Sequence, residues 1–243
     1  MKRRTFVKLS TISGIAVTAF PNLSFNIPFI STEELMGKGS PELFGNNFKL
    51  RKEAYEAFLE MKSEALNDNI EIQVVSSYRN FEHQNRIWTR KYKSFTQQGL
   101  SPMETIKKII EYSTIPGTSR HHWGTDMDII DGNPKQPKNV LLSKHFEGDG
   151  PFTKLKEWMD TNANKFGFYL VYTDDDQRNG FKYEPWHYSY KPLSEVFLKE
   201  YLELDILELL KNEKIIGKEN FSTEFFNNYL ENNILDINPE LLS

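Results

Sequence analysis

The chain has 243 residues, 38% of them hydrophobic and 26% charged, a size and balance that suit one well-buried soluble domain. It has no cysteine, so disulfides and cysteine-ligated metal or redox sites are excluded. The formal net charge is −4; beyond the first ten residues, 26 basic side chains face 34 acidic ones, a formal −8, which argues against a nucleic-acid partner.

The first ten residues, MKRRTFVKLS, are basic and carry adjacent Arg3 and Arg4, and a short apolar run follows. Residues 1–27 therefore read as an export signal of the twin-arginine kind, directing the protein to the periplasm or cell envelope. No later apolar stretch approaches the length of a membrane span, so a mature form without a stable span is expected. Residues 28–47, rich in Pro, Asn, Ser and Gly, read as a linker and a loosely packed lead-in. Leu50, Ala54, Ala57, Phe58, Met61 and Ala65 recur at helical spacing and predict a helix over 49–67. Ile70, Ile72 and Val74 alternate, which predicts a strand over 70–76. An amphipathic helix is expected over 81–98. Ser101, Pro102 and Glu104 form a start signal for another over 102–112. The stretch 113–122 reads as a loop turned at Pro116-Gly117, and DMDII reads as a strand.

A helix is expected over 151–164, then two strand-like segments, FGFYLVY and FKYEPWHYSY. The polar run TDDDQRNG between them is a substrate-rim loop or a surface excursion. Residues 193–232 read as mostly helical. The pattern is α+β, with helices early and late and an antiparallel sheet carrying the polar motifs. It divides into a core domain over 48–192 and a helical extension, 193–243, packed on it.

With cysteine absent, a tight metal site has to use His, Asp or Glu, and there are five histidines: His83, His121, His122, His145 and His187. His121 precedes Asp128 by seven residues, and Gly124 lets the chain double back between them. Glu184 precedes His187 by three, with Pro185 between, so no regular helix joins them. In an extended segment residues three apart face opposite ways, and joint action requires a distortion or a turn at Pro185. Spacing alone leaves His121 and His122 as rivals. His145 reads as a solvated loop residue and His83 as a helix residue near Arg79, neither with a part in the site.

These residues resemble the zinc D-alanyl-D-alanine carboxypeptidases, the VanY-like family that also includes D-Ala-D-Ala dipeptidases and L,D-carboxypeptidases. The shared phrases are Ser119-x-His121 with Gly124 and Asp128, then Glu184-x-Trp186-His187, and upstream Ser76, Tyr78, Arg79 and Gln84. The resemblance covers about residues 50–192. It implies a central antiparallel sheet flanked by helices, as in Hedgehog and DD-peptidase folds, with Zn2+ bound by His121, Asp128 and His187. Glu184 would be the base, and Arg79 would hold an oxyanion or the substrate carboxylate. Ser119 and Gln84 would orient the substrate, joined on its side by Tyr78 and by Trp186, the latter chiefly as an aromatic backing.

Asp126 departs from the family, which has a small residue there; it is a candidate second carboxylate, bracing a ligand histidine or competing with Asp128. His122 is expected just outside the ligand shell. The implied substrate is a peptidoglycan stem peptide, from which a monomeric enzyme releases a terminal D-alanine. The alternatives are an L,D-carboxypeptidase, a zinc endopeptidase or amidase, and a non-catalytic wall-binding protein.

Overall fold

Four short strands make one antiparallel sheet in the order β1–β2–β4–β3, with β1 at Ile72–Ser76, β2 at Asp126–Asp131, β3 at Phe168–Leu170 and β4 at His187–Tyr190. The computed structural model describes residues 30–242, so the export-signal reading of 1–27 lies outside the described residues. The fold is α+β, as the sequence pattern implies.

Strand β2 is buried along its whole length. Because strand side chains alternate, Met127 and Ile129 point into the apolar core while Asp126 and Asp128 share the other face. The register with β4 sets Asp128 opposite His187 and Asp126 opposite Ser189. Residues directly opposite in an antiparallel pair lie on the same face. Alternation and register together therefore gather two acids, a histidine and a serine on one patch. A bulge between Val74 and Ser76 in β1 shifts the pairing just before the Ser77–Arg79 segment.

Helix α1 covers Thr32–Leu35, and α2, Lys52–Asn67, buries Ala54, Phe58, Met61 and Ala65 on one stripe. Helix α3, Phe81–Gln97, buries Phe81, Gln84, Trp88 and Tyr92, and the Asn80 side chain caps it by accepting from the His83 amide at 2.8 Å. Trp88 is fully buried; truncating such a ring to alanine costs about 3–5 kcal/mol. Helix α4, Pro102–Ile109, starts with the expected capping box but stops short of residue 112. Helix α5 spans Thr153–Asn162. Beyond the sheet, α6 (Lys191–Leu202), α7 (Ile206–Lys211) and α8 (Thr223–Tyr229) follow.

Three expectations change. The lead-in is packed within its described part: Ile30, Leu35 and Met36 are buried, and Phe44 bridges Leu50. The two long strand-like segments pair over only a few residues each, because the chain turns away from the ladder at Pro185. The helical run after residue 193 breaks at Asp205, whose carboxylate accepts from the Glu208 amide at 3.0 Å and starts a new helix.

The C-terminal segment lies along the loops that lead to the polar patch. Tyr201 Oη donates to Gly117 O at 2.9 Å, and Tyr229 Oη accepts from the Ile115 amide at 3.2 Å. The loop at 173–180 is tied down as well. Asp236 accepts from the Asn179 and Gly180 amides at 2.7 and 2.9 Å, and the Arg178 guanidinium donates to the Asp236 carbonyl.

Candidate metal centre

His121 sits on a 3₁₀ turn, Arg120–Trp123, that precedes β2, rather than in an open loop. Gly124 ends the turn with φ +69°, and a Cβ there would come within 2.8 Å of Leu43. The left-handed backbone here favours glycine as the chain reverses into β2. His187 begins β4, and Glu184 reaches the same patch through a turn. The His187 amide donates to Glu184 O at 3.0 Å with Pro185 at the second position of that turn. Proline is pre-set for this position, and the apparent conflict of a three-residue spacing disappears.

One ligand atom each from His121, Asp128 and His187 lies within 4.8 Å of the others, and all three residues are buried. His121 Nε2 is 3.5 Å from Asp128 Oδ2, and His187 Nδ1 is 3.8 Å from Asp128 Oδ1. Tetrahedral zinc with bonds of about 2.0–2.1 Å separates its ligand atoms by about 3.3 Å, so small side-chain adjustments close the set. The donor set also fits a cation on independent grounds. His121 Nδ1 is used by Ser77 O at 2.8 Å, while Nε2 is buried with no hydrogen-bond partner. Such an orphaned nitrogen is costly unless something binds it.

Asp126 does not compete with Asp128. Its Oδ2 accepts from Arg120 Nε at 3.0 Å and faces His187 Nε2 at 3.1 Å, on the side of the ring away from the ligand cluster. Its Oδ1 accepts from Thr125 Oγ1 and Ser189 Oγ, both at 2.7 Å. A carboxylate behind a ligand histidine fixes its tautomer and orientation. Burial raises the Asp126 carboxyl, but the Arg120 charge and the His187 bond outweigh it and hold it well below the usual range. Burial alone would depress His187. The hydrogen bonds to Asp126 and Glu184 and the Asp128 charge instead lift it to about 9. Burial and the Arg79 charge lower His121 to about 4. Burial raises Glu184, whose Oε2 lies 3.0 Å from His187 Nδ1.

A cavity of about 450 Å³ opens over this patch; Arg79, Ser119, Trp186 and Glu184 are among the residues lining it. Arg79 Nη2 stands 3.5 Å from Asp128 Oδ2, and its Nη1 donates to Gln84 Oε1 at 3.0 Å. Trp186 is nearly buried, with its ring 5.8 Å from that of Phe146, in keeping with an aromatic backing.

Two residues expected on the substrate side stand elsewhere. Gln84 is fully buried and is not part of the cavity wall; its amide donates to Thr114 O at 2.9 Å, so it braces Arg79. Tyr78 is also outside the wall. Neighbours in extended backbone point opposite ways, and with Arg79 turned to the cavity the Tyr78 phenol lies in the field of Arg51 and Glu34. His122 bonds Arg79 O through Nδ1 at 2.6 Å and accepts from the Gly117 amide, so it ties backbone to backbone away from the ligands. Arg120 and Ser189 escaped the sequence reading. A buried second carboxylate at Asp126 called for a cation, and strand alternation from His187 pointed to Ser189.

An α+β sheet presenting two histidines, an aspartate and a flanking glutamate is the scaffold of a metal-dependent hydrolase. A family model described as "VanY: D-alanyl-D-alanine carboxypeptidase" matches residues 47–193, and the chain belongs to that family. An uncharacterized protein of Haemophilus influenzae is 33% identical over 107 residues, 43% of this chain and 82% of that protein. A D-alanyl-D-alanine carboxypeptidase of Enterococcus faecalis is 29% identical over 143 residues, 58% of this chain and 48% of the enzyme. The match thus spans about half the length of that enzyme. Among solved structures, VanYB in complex with D-alanine-D-alanine superposes with TM-score 0.53 at 24% identity, covering 73% of this chain and 92% of that one. A VanY D,D-pentapeptidase variant in complex with Zn(II) gives TM-score 0.50 at 24% identity, over 70% and 90% of the two chains.

Proposed function

We propose that the protein is a zinc-dependent carboxypeptidase that removes the C-terminal D-alanine from peptidoglycan stem peptides. The observation that carries this reading is the buried His121–Asp128–His187 cluster, with the orphaned His121 Nε2 turned into it and Glu184 beside it. The family membership and the Zn(II) and D-alanine-D-alanine complexes of its structural relatives support the choice of metal and substrate.

A zinc ion held by the three ligands would supply the Lewis acid that polarises the scissile carbonyl and acidifies water. Glu184, its carboxyl raised by burial, takes the proton at a carboxylate oxygen and returns it to the leaving amine. Arg79 presents its guanidinium to the cavity, where it holds the developing oxyanion or the substrate carboxylate. Gln84 braces that guanidinium and Asp126 braces His187. Ser119 lines the cavity and orients the peptide.

We further assign export to residues 1–27 by the twin-arginine route, the peptidase domain to 48–192, the packed extension to 193–243, and a monomeric state. The paired Arg3-Arg4 and the apolar run behind them support the first. Among the described residues no helix is long and apolar enough to cross a membrane.

The test is incubation of zinc-loaded protein with defined muropeptides, read by mass. Loss of one alanine from a pentapeptide is the expected outcome. Loss only from a tetrapeptide would reassign the bond to the L,D class, and scission of a dimer would make the protein an endopeptidase. Glu184→Gln should keep zinc but lower the rate by about 10²–10⁴; undiminished turnover would remove Glu184 from its role.

A further inference from the structure

Helix α3 turns Ile87, Arg90 and Lys91 toward the cavity, at spacings of three and four residues on one helical face. The other cations of the wall are engaged. Arg79 bonds Gln84 and leans on Asp128, and Arg120 bonds Asp126. The acids of the wall are Asp128 and Glu184, both committed to the ligand cluster. The side chains of Arg90 and Lys91 have no hydrogen bond or ion pair among the described residues. On the rim nearby, lysines do find acids: Lys108 and Lys182 both pair with Glu111, at 3.0 and 3.3 Å.

Lys91 is half-buried, unlike Arg90 beside it. Burial depresses its ammonium below the ordinary lysine range, against the pull of the Glu184 charge. A partly desolvated ammonium with no carboxylate in direct contact is unfavourable, and an arriving anion relieves it. Lys91 follows Gln84, the brace of Arg79, by seven residues. That places its Cα about 10.5 Å farther along the helix axis. An extended peptide covers this in about three residues.

We infer that Lys91, with Arg90, forms an anion subsite that binds a side-group carboxylate of the substrate peptide, three or four residues from its C-terminus. The inference rests on the peptidase reading and adds to it a preference for acidic peptides. The C-terminal carboxylate is left to Arg79, which stands at the ligand cluster.

The experiment uses acetyl-tetrapeptides ending in D-Ala-D-Ala, with Glu at the third or fourth residue from the C-terminus, each beside its Gln counterpart. Wild type should favour Glu over Gln at one of these positions by about tenfold in KM. Lys91→Met should erase that preference by raising KM for the Glu peptide alone, with kcat kept within about twofold, and Lys91→Arg should restore most of it.

Equal losses on the Glu and Gln peptides would overturn the subsite, since Lys91 would then hold the C-terminal carboxylate or a structural contact. A Glu preference that survives Lys91→Met would overturn it too, as would none at either position. If no peptide is cleaved, the peptidase reading fails on its own. Calorimetric binding of the same four peptides to zinc-loaded wild type and Lys91→Met then decides the subsite by the same comparison.

Discussion

His187 and His121 reach one point from two differently built regions. His187 stands on β4, paired across from Asp128 on β2, and its ring is braced from behind by Asp126, itself bound to Arg120, Thr125 and Ser189. His121 stands on a 3₁₀ turn at the end of a loop, and its ring is braced by a backbone carbonyl, Ser77 O. That loop is fixed by His122 from within the turn and by Tyr201 and Tyr229 from the C-terminal segment. The strand pair positions a proposed ligand by register and buried charge. The loop positions one by hydrogen bonds from parts of the chain remote in sequence. The first should therefore fail through its electrostatics and the second through its packing.

The sharpest way to break the strand side is Asp126→Asn. The substitution keeps shape but removes the charge that balances Arg120 and orients His187. Removal of such a bracing carboxylate from a ligand histidine costs about 10–100-fold in metal affinity. Zinc competition with a chromophoric chelator should show that loss, with kcat/KM recovering as free zinc is raised. An unchanged zinc affinity would mean that Asp126 serves the fold alone.

On the loop side the expected signature is a pH dependence of stability. Burial lowers His122 to about 3 in the folded protein, against about 6.5 in an unfolded chain. Between those values the unfolded state binds the proton and the folded state does not. The stability contributed by neutral His122 is thus complete above pH 6.5 and falls as pH drops toward 3, by a few kcal/mol in all. Denaturant midpoints of chelator-treated protein, taken at pH 7, 5.5 and 4.5, should decline less steeply in His122→Asn than in wild type. His121 is lowered for the same reason and keeps part of the slope in the variant. Parallel slopes would place the acid sensitivity elsewhere.

The sequence disclosed these two regions unequally. The proposed ligand trio and Glu184 are legible because their phrases match a family, and the helices α2, α3 and α4 because apolar spacing and capping residues are local signals. The juxtaposition of Glu184 and His187 is not legible from spacing, since a three-residue interval is unfavourable in a strand. It becomes so once Pro185 is read as the second residue of a turn. Gln84 was assigned to the substrate, yet it lies on the buried stripe of α3 with Phe81 and Trp88; that helical periodicity could have removed it from the cavity. Asp126 was open between two roles because the answer depends on which ring nitrogen of His187 it meets, a fact of strand register. The clamps from Tyr201 and Tyr229 had no signal at all, because a buried tyrosine's hydroxyl partner is set by tertiary packing.

The gentlest probe of the comparison is Tyr229→Phe, which keeps the ring and removes only the hydroxyl. That oxygen lies 3.2 Å from the Ile115 amide and 2.7 Å from Thr118 Oγ1, and the whole group is buried. Thr118 Oγ1 retains its bond to Ile115 O at 2.8 Å, so the variant leaves chiefly the Ile115 amide unsatisfied. The expected cost is about 1–2 kcal/mol of stability, read from the denaturant midpoint. Ser119 and His121 lie one and three residues beyond Thr118, so kcat/KM should fall a few-fold while zinc affinity changes less than in Asp126→Asn. Were the two variants to lower zinc affinity equally, the loop and the strand pair would be one coupled unit, and the contrast between them would not hold.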